Sequence, residues 1–244
     1  MDWNKYDMAP FCDSMEEFGL RLGDNQIAQF MQYYELLTEW NQFMNLTAIT
    51  EFDEVCTKHF IDSISLCRAV DCTRDYTVID VGTGAGFPGI PLKIAFPNLK
   101  ITLLDSLGKR VKFLNEVIGR LGLKDIEAIH GRAEDFAKPG QLREQFDLCV
   151  SRAVANLSTL SEYCLPYVKI DGFFISYKSE KISDEMQAAQ HAIALLGGDI
   201  YDQKEFMLPN SDIYRNLFQI KKIKATPKKY PRKAGLPSKE PLSI

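Results

Sequence analysis

The densest chemistry in the chain lies in residues 78–89, which read VIDVGTGAGFPG. A β-branched apolar run carries one carboxylate, Asp80, and then opens into a turn holding Gly82, Gly84, Gly86 and Gly89. Residues without a Cβ let backbone amides come close to a ligand. At the carboxyl end of a first parallel strand, such a turn is where open α/β sheets bind nucleotide-like cofactors. Two registers fit. Counted from Gly84 the glycines match G-x-G-x-x-G with Asp105 about 20 residues on, the pattern of a dinucleotide site. Counted from Gly82 they match G-x-G-x-G, with an acid two positions earlier. The second register puts the first glycine at the strand exit, while Pro88 and Pro91 disturb the backbone where a dinucleotide-binding helix should begin. Asp80 would also face a diphosphate unfavourably, whereas it suits the cationic ammonium of a methionine moiety. The turn therefore favours S-adenosylmethionine, a zwitterion without phosphate. A nicotinamide-dependent oxidoreductase is the alternative.

In a doubly wound sheet the ends of the first four strands point at one crevice, which nominates the remaining cofactor residues. Asp105, followed by Ser106, ends the second apolar run; its carboxylate either accepts both ribose hydroxyls or caps the helix that follows. After the third run, Ala133 and Glu134 present an amide and a carboxylate to an adenine edge, or place acids favourably at a helix amino terminus; the two readings are compatible. Phe87, just past the glycine turn, packs on the cofactor's apolar part or fills core. Arg152, in Ser151-Arg152-Ala153-Val154-Ala155 after the fourth run, is costly to bury unpaired. It is expected to face the crevice, toward a methionine carboxylate or a substrate phosphate.

The elements that must hold these residues follow from periodicity. Asp24 or Asn25 caps a helix over 26–43 with Ile27, Phe30, Met31, Tyr34 and Leu37 on its apolar face; Thr50 with Asp53 resembles a capping box opening a second helix to about residue 70. These helices are expected to cover one edge of a sheet. From Tyr76 strands and helices alternate: strands at 77–81, 101–105, 126–130, 146–150 and 172–177, helices at 90–96, 109–121, 157–167 and 183–196. A closing antiparallel pair follows at 204–208 and 214–223. Such alternation implies a mostly parallel sheet with helices on both faces. The predicted fold is α/β, Rossmann-like, with seven strands in the layout of class I methyltransferases. The divisions are an N-terminal helical extension (1–72), the sheet domain (73–225) and a basic C-terminal tail (226–244).

Composition agrees with a globular chain of this length: of 244 residues, 45% are hydrophobic and 25% charged, enough for a substantial core. No apolar run approaches a membrane span, and the start lacks a signal-peptide pattern, so no membrane association is expected. The six cysteines form no C-x-x-C pair and read as reduced thiols of a cytoplasmic protein; the three histidines lack metal-ligand spacing, so no metal is expected. Net charge is −4, yet residues 219–244 carry eight bases against a single acid, Glu240. A basic segment on an otherwise acidic chain points to a polyanionic partner, its cations contacting phosphates.

With these residues in place, the chain resembles the bacterial RsmG (GidB) family of ribosomal small-subunit RNA guanine-N7 methyltransferases. The resemblance rests on Asn45-Leu46-Thr47, His59-Phe60-Ile61-Asp62-Ser63, the stretch from Asp80 through Gly89-Ile90-Pro91, Leu104-Asp105-Ser106 through Lys109-Arg110, Ala133-Glu134, Ser151-Arg152-Ala153 and the ending Tyr230-Pro231-Arg232-Lys233-Ala234-Gly235. The glycine turn's extension into Gly-Phe-Pro-Gly-Ile-Pro is more specific than its glycines alone. The resemblance implies S-adenosylmethionine as cofactor, bound through Gly82, Phe87, Ala133, Glu134 and Arg152. It also implies a cytoplasmic enzyme that methylates N7 of a guanine near position 527 of 16S rRNA, in naked RNA or in a small ribosomal subunit particle. N7 carries an in-plane lone pair and no proton, so no catalytic acid or base is expected. His59, Asp62 and Lys178 are candidates for positioning the RNA. A non-catalytic RNA-binding assembly factor on the same fold is the third reading.

Overall fold

The computed structural model describes residues 5–152, 155–180 and 182–242. Helices α1 (Ala9–Glu17) and α2 (Asp24–Met44) precede a winding segment. This runs from α3 (Phe52–Val55) through a π turn at Cys56–Ile61 into α4 (Asp62–Ile64) and a 3-10 turn at Ser65–Arg68. Strand β1 (Thr77–Val81) then leads to α5 (Gly89–Ala95), β2 (Lys100–Asp105), α6 (Gly108–Arg120), β3 (Ile126–His130) and α7 (Ala133–Phe136). Next come β4 (Phe146–Ser151), α8 (Leu157–Cys164), β5 (Val168–Lys178) and α9 (Ser183–Leu195). The hairpin of β6 (Gly198–Met207) and β7 (Tyr214–Lys222) precedes α10 (Leu236–Lys239). The strands form one sheet in the order β3-β2-β1-β4-β5-β7-β6, parallel from β3 to β5 and antiparallel for β7 and β6. This is the expected Rossmann-like α/β fold, with its topological switch between β1 and β4.

Strand alternation sorts the core into two layers. Val78, Leu103, Val150, Ile175 and Leu217 face α1, α2, α5 and α6; Ile79, Leu104, Cys149, Phe174 and Phe218 face α8 and α9. The N-terminal helices therefore lie on a face of the sheet, not along its edge. Gln26 donates to the carbonyls of Ile94 and Ala95 and Gln29 to that of Leu121, so α2 rests on the ends of α5 and α6. An amphipathic pattern reveals that a helix buries one side, not which layer receives it.

Local departures have local causes. The capping box at Thr50 does not form: Glu51 precedes α3 without a side-chain cap, and the Thr50 carbonyl accepts the Tyr34 hydroxyl. Gly23 caps α2, its amide donating to Gln26 Oε1. The prolines do not delay the helix after the glycine turn. It begins at Gly89, with Pro91 in the first turn, where a missing N–H costs no helical bond. Strand β6 starts at Gly198 and not at 204, and the polar side chains of this edge strand, such as Asp199 and Asp202, hide its period in the sequence.

Residues 226–242 dock on the body. The Arg143 guanidinium donates to the carbonyls of Ala137, Thr226, Pro227 and Tyr230. Lys222 is fully buried, donating to the Leu165 carbonyl and the Thr226 hydroxyl beside Glu144, and burial lowers its ammonium to about 8. Arg232 forks onto the buried carboxylate of Glu162. Two of the eight terminal bases thus serve the fold, a correction to the expectation that all meet RNA. Lys224, Lys228, Lys229, Lys233 and Lys239 are exposed.

Candidate active site

Two cavities open at the carboxyl edge of the sheet. The smaller, about 250 Å³, sits over the ends of β1, β2, β3 and β4. Gly82, Asp105, Ser106, Ala133 and Glu134 all line it, with Leu104, Leu160 and Tyr163 as apolar wall. The larger, about 670 Å³, lies over the ends of β4 and β5, lined by His59, Asp62, Arg152, Tyr177, Lys178 and Arg215 among others. Ala155 borders both. Successive residues at the end of β4 serve different cavities: Ser151 the smaller, Arg152 the larger.

Asp80 builds the floor of the glycine turn. It is completely buried; its Oδ2 accepts the Thr83 hydroxyl at 2.6 Å and the Gly89 amide at 2.9 Å, while Oδ1 has no partner among the described residues. Burial pushes its carboxyl up to about 6, against the pull of those two donors. The backbone here needs glycine. Gly82 has φ 75°, and Gly86 has φ 99° with space so tight that a Cβ would meet the Tyr33 hydroxyl at 2.8 Å. Tyr33, wholly buried on α2, donates to the Ala85 carbonyl at 2.5 Å and so ties the extension to the turn. The helical spacing of apolar residues did not single out Tyr33, because its hydroxyl and not its hydrophobicity defines its task.

Asp105 does two local jobs. Oδ2 accepts the Gly84 amide at 2.9 Å and the Arg110 guanidinium at 3.5 Å, and Oδ1 accepts the Leu107 amide at 2.8 Å, which leaves Oδ1 a further lone pair. Glu134, nearly buried in the first turn of α7, accepts the Gly235 amide at 2.7 Å, and the Ala133 carbonyl accepts the Tyr167 hydroxyl. The terminal segment therefore braces one of the carboxylates that line this cavity.

Phe87 and Arg152 stand apart from the other nominated residues. Phe87 is 6% exposed, stacked on the His59 ring at 4.4 Å, with the Arg152 guanidinium 5.0 Å from its centroid. Arg152 donates to Asp62 Oδ2 at 2.8 Å, to the Lys58 carbonyl and to His59 Nδ1 at 3.1 Å. Since Nδ1 accepts, the ring proton sits on Nε2 and is donated to the Thr47 hydroxyl at 2.8 Å. Burial, helped by Arg152, lowers His59 to about 4 and keeps it neutral. Asp62 is 1% exposed and also accepts Arg215 Nε at 2.6 Å. The motifs around Thr47, His59 and Arg152 thus meet in one cluster. Arg215, from an antiparallel strand far along the chain, carried no sequence signal. Ala153 and Val154 lie outside the described residues.

A family model described as rRNA small subunit methyltransferase G matches residues 26–214. The chain belongs to that family. A "Ribosomal RNA small subunit methyltransferase G" from Lachnoclostridium phytofermentans is 53% identical over 236 residues, 97% of this chain and 98% of that protein. One from Alkaliphilus metalliredigens is 54% identical over 230 residues, 94% of this chain and 96% of that protein. Among solved structures, a SAM dependent methyltransferase from Aquifex aeolicus has a TM-score of 0.50 at 17% identity, covering 70% of this chain and 93% of that one. That likeness speaks for the fold alone. Membership makes the chain an S-adenosylmethionine-dependent methyltransferase, and the oxidoreductase alternative falls. The exit of β1 at Gly82 survives as an argument for that cofactor; the proline argument does not.

The smaller cavity fits such a cofactor. It sets two carboxylates, Asp105 and Glu134, over neighbouring strand ends beside an apolar wall, and the buried Asp80 Oδ1 lies unpartnered beneath the turn. No group of three His, Cys, Asp or Glu among the described residues is placed to hold a metal. No helix among them is long and apolar enough to cross a membrane.

Proposed function

We propose that this protein methylates N7 of a guanine in 16S rRNA, acting in the cytoplasm on the RNA or on a small ribosomal subunit particle. Family membership over most of the chain carries the reading, and the paired cavities at the switch point support it. The seven cofactor residues divide by position. Asp105 and Ser106 would hold the ribose, Ala133 and Glu134 the adenine edge, Gly82 the open approach beside the turn, and Phe87 with Arg152 the methionine end.

S-adenosylmethionine supplies an electrophilic methyl group on sulfur. Because N7 carries a lone pair and no proton, its methylation would require no residue of this chain to remove a proton from the base. The protein's residues accordingly need only align and desolvate. Asp80, buried beneath the turn it braces, would favour the cationic ammonium through its charge without touching it. His59, neutral and held at both nitrogens, orients Arg152 and abstracts nothing.

The test is direct. Recombinant protein is incubated with methyl-deuterated cofactor and either naked 16S rRNA or small subunits lacking the modification, and digested nucleosides are analysed by mass spectrometry. Labelled 7-methylguanosine is the expected product. Label on an exocyclic amine or ribose, or none at all, overturns the reading.

A further inference from the structure

The larger cavity has more room than the methionine end of a cofactor requires and a chemistry of its own. Asp62, almost fully buried, spends both oxygens on guanidinium groups, Oδ2 on Arg152 and Oδ1 on Arg215. Across the lining, Lys58, Arg152, Lys178 and Arg215 face Asp62, Glu180 and Glu185, an excess of one positive charge, and both arginines are at most 18% exposed at the side chain. Lys178 adds none, since Glu185 pairs with it at 2.7 Å. Arg215 gives Nε to Asp62 and one nitrogen to the Tyr214 carbonyl; its remaining terminal nitrogen has no acceptor among the described residues. A partly desolvated guanidinium with unspent donors suits an oxyanion. Around it stand apolar walls, Ile49, Ile213 and the ring of Tyr177, whose hydroxyl is turned away onto the Ser63 carbonyl. Flat apolar walls beside an anion-seeking arginine match one nucleotide, a base with its phosphate.

We propose that this cavity receives the target guanosine nucleotide, splayed out of its strand, with Arg215 on its phosphate and Ile49 and Ile213 flanking the base. Bases read in RNA are ordinarily splayed from single-stranded segments, because within a helix the Hoogsteen edge lies in a groove too deep and narrow for a buried methyl donor to reach. The Hoogsteen edge then faces the smaller cavity across Ala155, and Asp62 is the positioning residue that aims Arg215. The proposal rests on the guanine reading above, and adds where the nucleotide sits and what selects it.

Guanosine monophosphate is titrated into protein saturated with S-adenosylhomocysteine, using wild type, Arg215→Gln, Arg215→Lys and Ile213→Trp, each checked for folding by thermal melt. The expected result is that Arg215→Gln weakens guanosine monophosphate and raises KM for RNA about tenfold, the scale of one charge-assisted hydrogen bond. Arg215→Lys should recover part of the loss. Ile213→Trp fills the space without touching the Asp62 pairs, and should abolish nucleotide binding on a folded protein. S-adenosylhomocysteine affinity should stay within about twofold in Ile213→Trp, which alters neither the smaller cavity nor the Asp62 pairs. A cofactor affinity that falls in step with the nucleotide would assign the cavity to the methionine end and overturn the proposal. So would unchanged nucleotide affinity in Ile213→Trp. These binding measurements are independent of turnover, so a wild-type protein that methylates another atom would sink the N7 reading by a separate result.

Discussion

Several single side chains here hold structure and ligand surface at once, and their removal is felt twice. Asp105 anchors the amides of Gly84 and Leu107 while lining the cofactor cavity. Asp105→Ala should therefore weaken S-adenosylhomocysteine by about 1.5–3 kcal/mol and also lower the melting temperature of the ligand-free protein. Calorimetry and a thermal melt check both; weaker binding with an unmoved melt would leave only the ribose contact. His59 and Asp80 should act oppositely on acid stability. The His59 value of about 4 lies below its ordinary 6.5, so an unfolded chain takes up a proton that the folded one refuses. Its contribution, on the order of 2–3 kcal/mol, is present above pH 6.5 and lost as pH falls toward 4. Asp80, raised to about 6, costs stability above that pH and relieves the cost as pH falls toward 3.8. Urea midpoints between pH 7 and 4.5 should fall less steeply in His59→Gln and more steeply in Asp80→Asn than in wild type.

At the level of elements, the terminal segment holds a residue of the smaller cavity from behind. Arg232 pairs with Glu162, which is completely buried, and three residues later Gly235 donates its amide to Glu134. Arg232→Ala strands a buried carboxylate and should cost about 3 kcal/mol of stability. Cofactor affinity should fall several-fold with it, because Glu134 loses the contact that holds it. Affinity equal to wild type in the folded variant would show that the segment packs without shaping the pocket. The strands and helices were largely legible from the sequence, because β1, β2 and β4 are short, almost continuously buried apolar runs separated by longer segments of mixed polarity. The winding segment from α3 to α4 was not. Its hydrophobic residues fit a helix, but a π turn depends on how the two flanking faces must be rotated to fit the sheet, which no local pattern records.

For the whole molecule, five of the seven residues nominated from the sequence line one cavity, since strand ends in a parallel sheet converge by topology. Phe87 and Arg152 lie beyond that rule: their neighbours His59 and Asp62 come from the N-terminal extension, whose docking face the sequence left open. The charge asymmetry survives in reduced form, with Lys222 and Arg232 used internally and five lysines exposed along the terminal segment. If each of these meets a phosphate at about 0.7 in the salt slope, RNA binding should weaken with a log–log slope of at most roughly 3.5. S-adenosylhomocysteine affinity should be nearly flat over the same range. A filter-binding series from 50 to 300 mM salt, roughly the range where screening changes most, tests both; a slope near zero would remove the lysines from RNA contact.

The π turn at Cys56–Ile61 has a consequence for insertion and deletion. Such a turn behaves as one extra residue wedged into an α-helix. Deleting Thr57 would let the segment wind regularly, and one residue of α-helix corresponds to about 100° of rotation. Either Phe52 and Val55 would then swing out of the α1–α2 core, or Asp62 would swing away from Arg152 and Arg215. The enzyme's angular phase between its helical extension and its sheet is thus set by a single residue, and a deletion there should disturb RNA turnover more than any substitution of Thr57 itself.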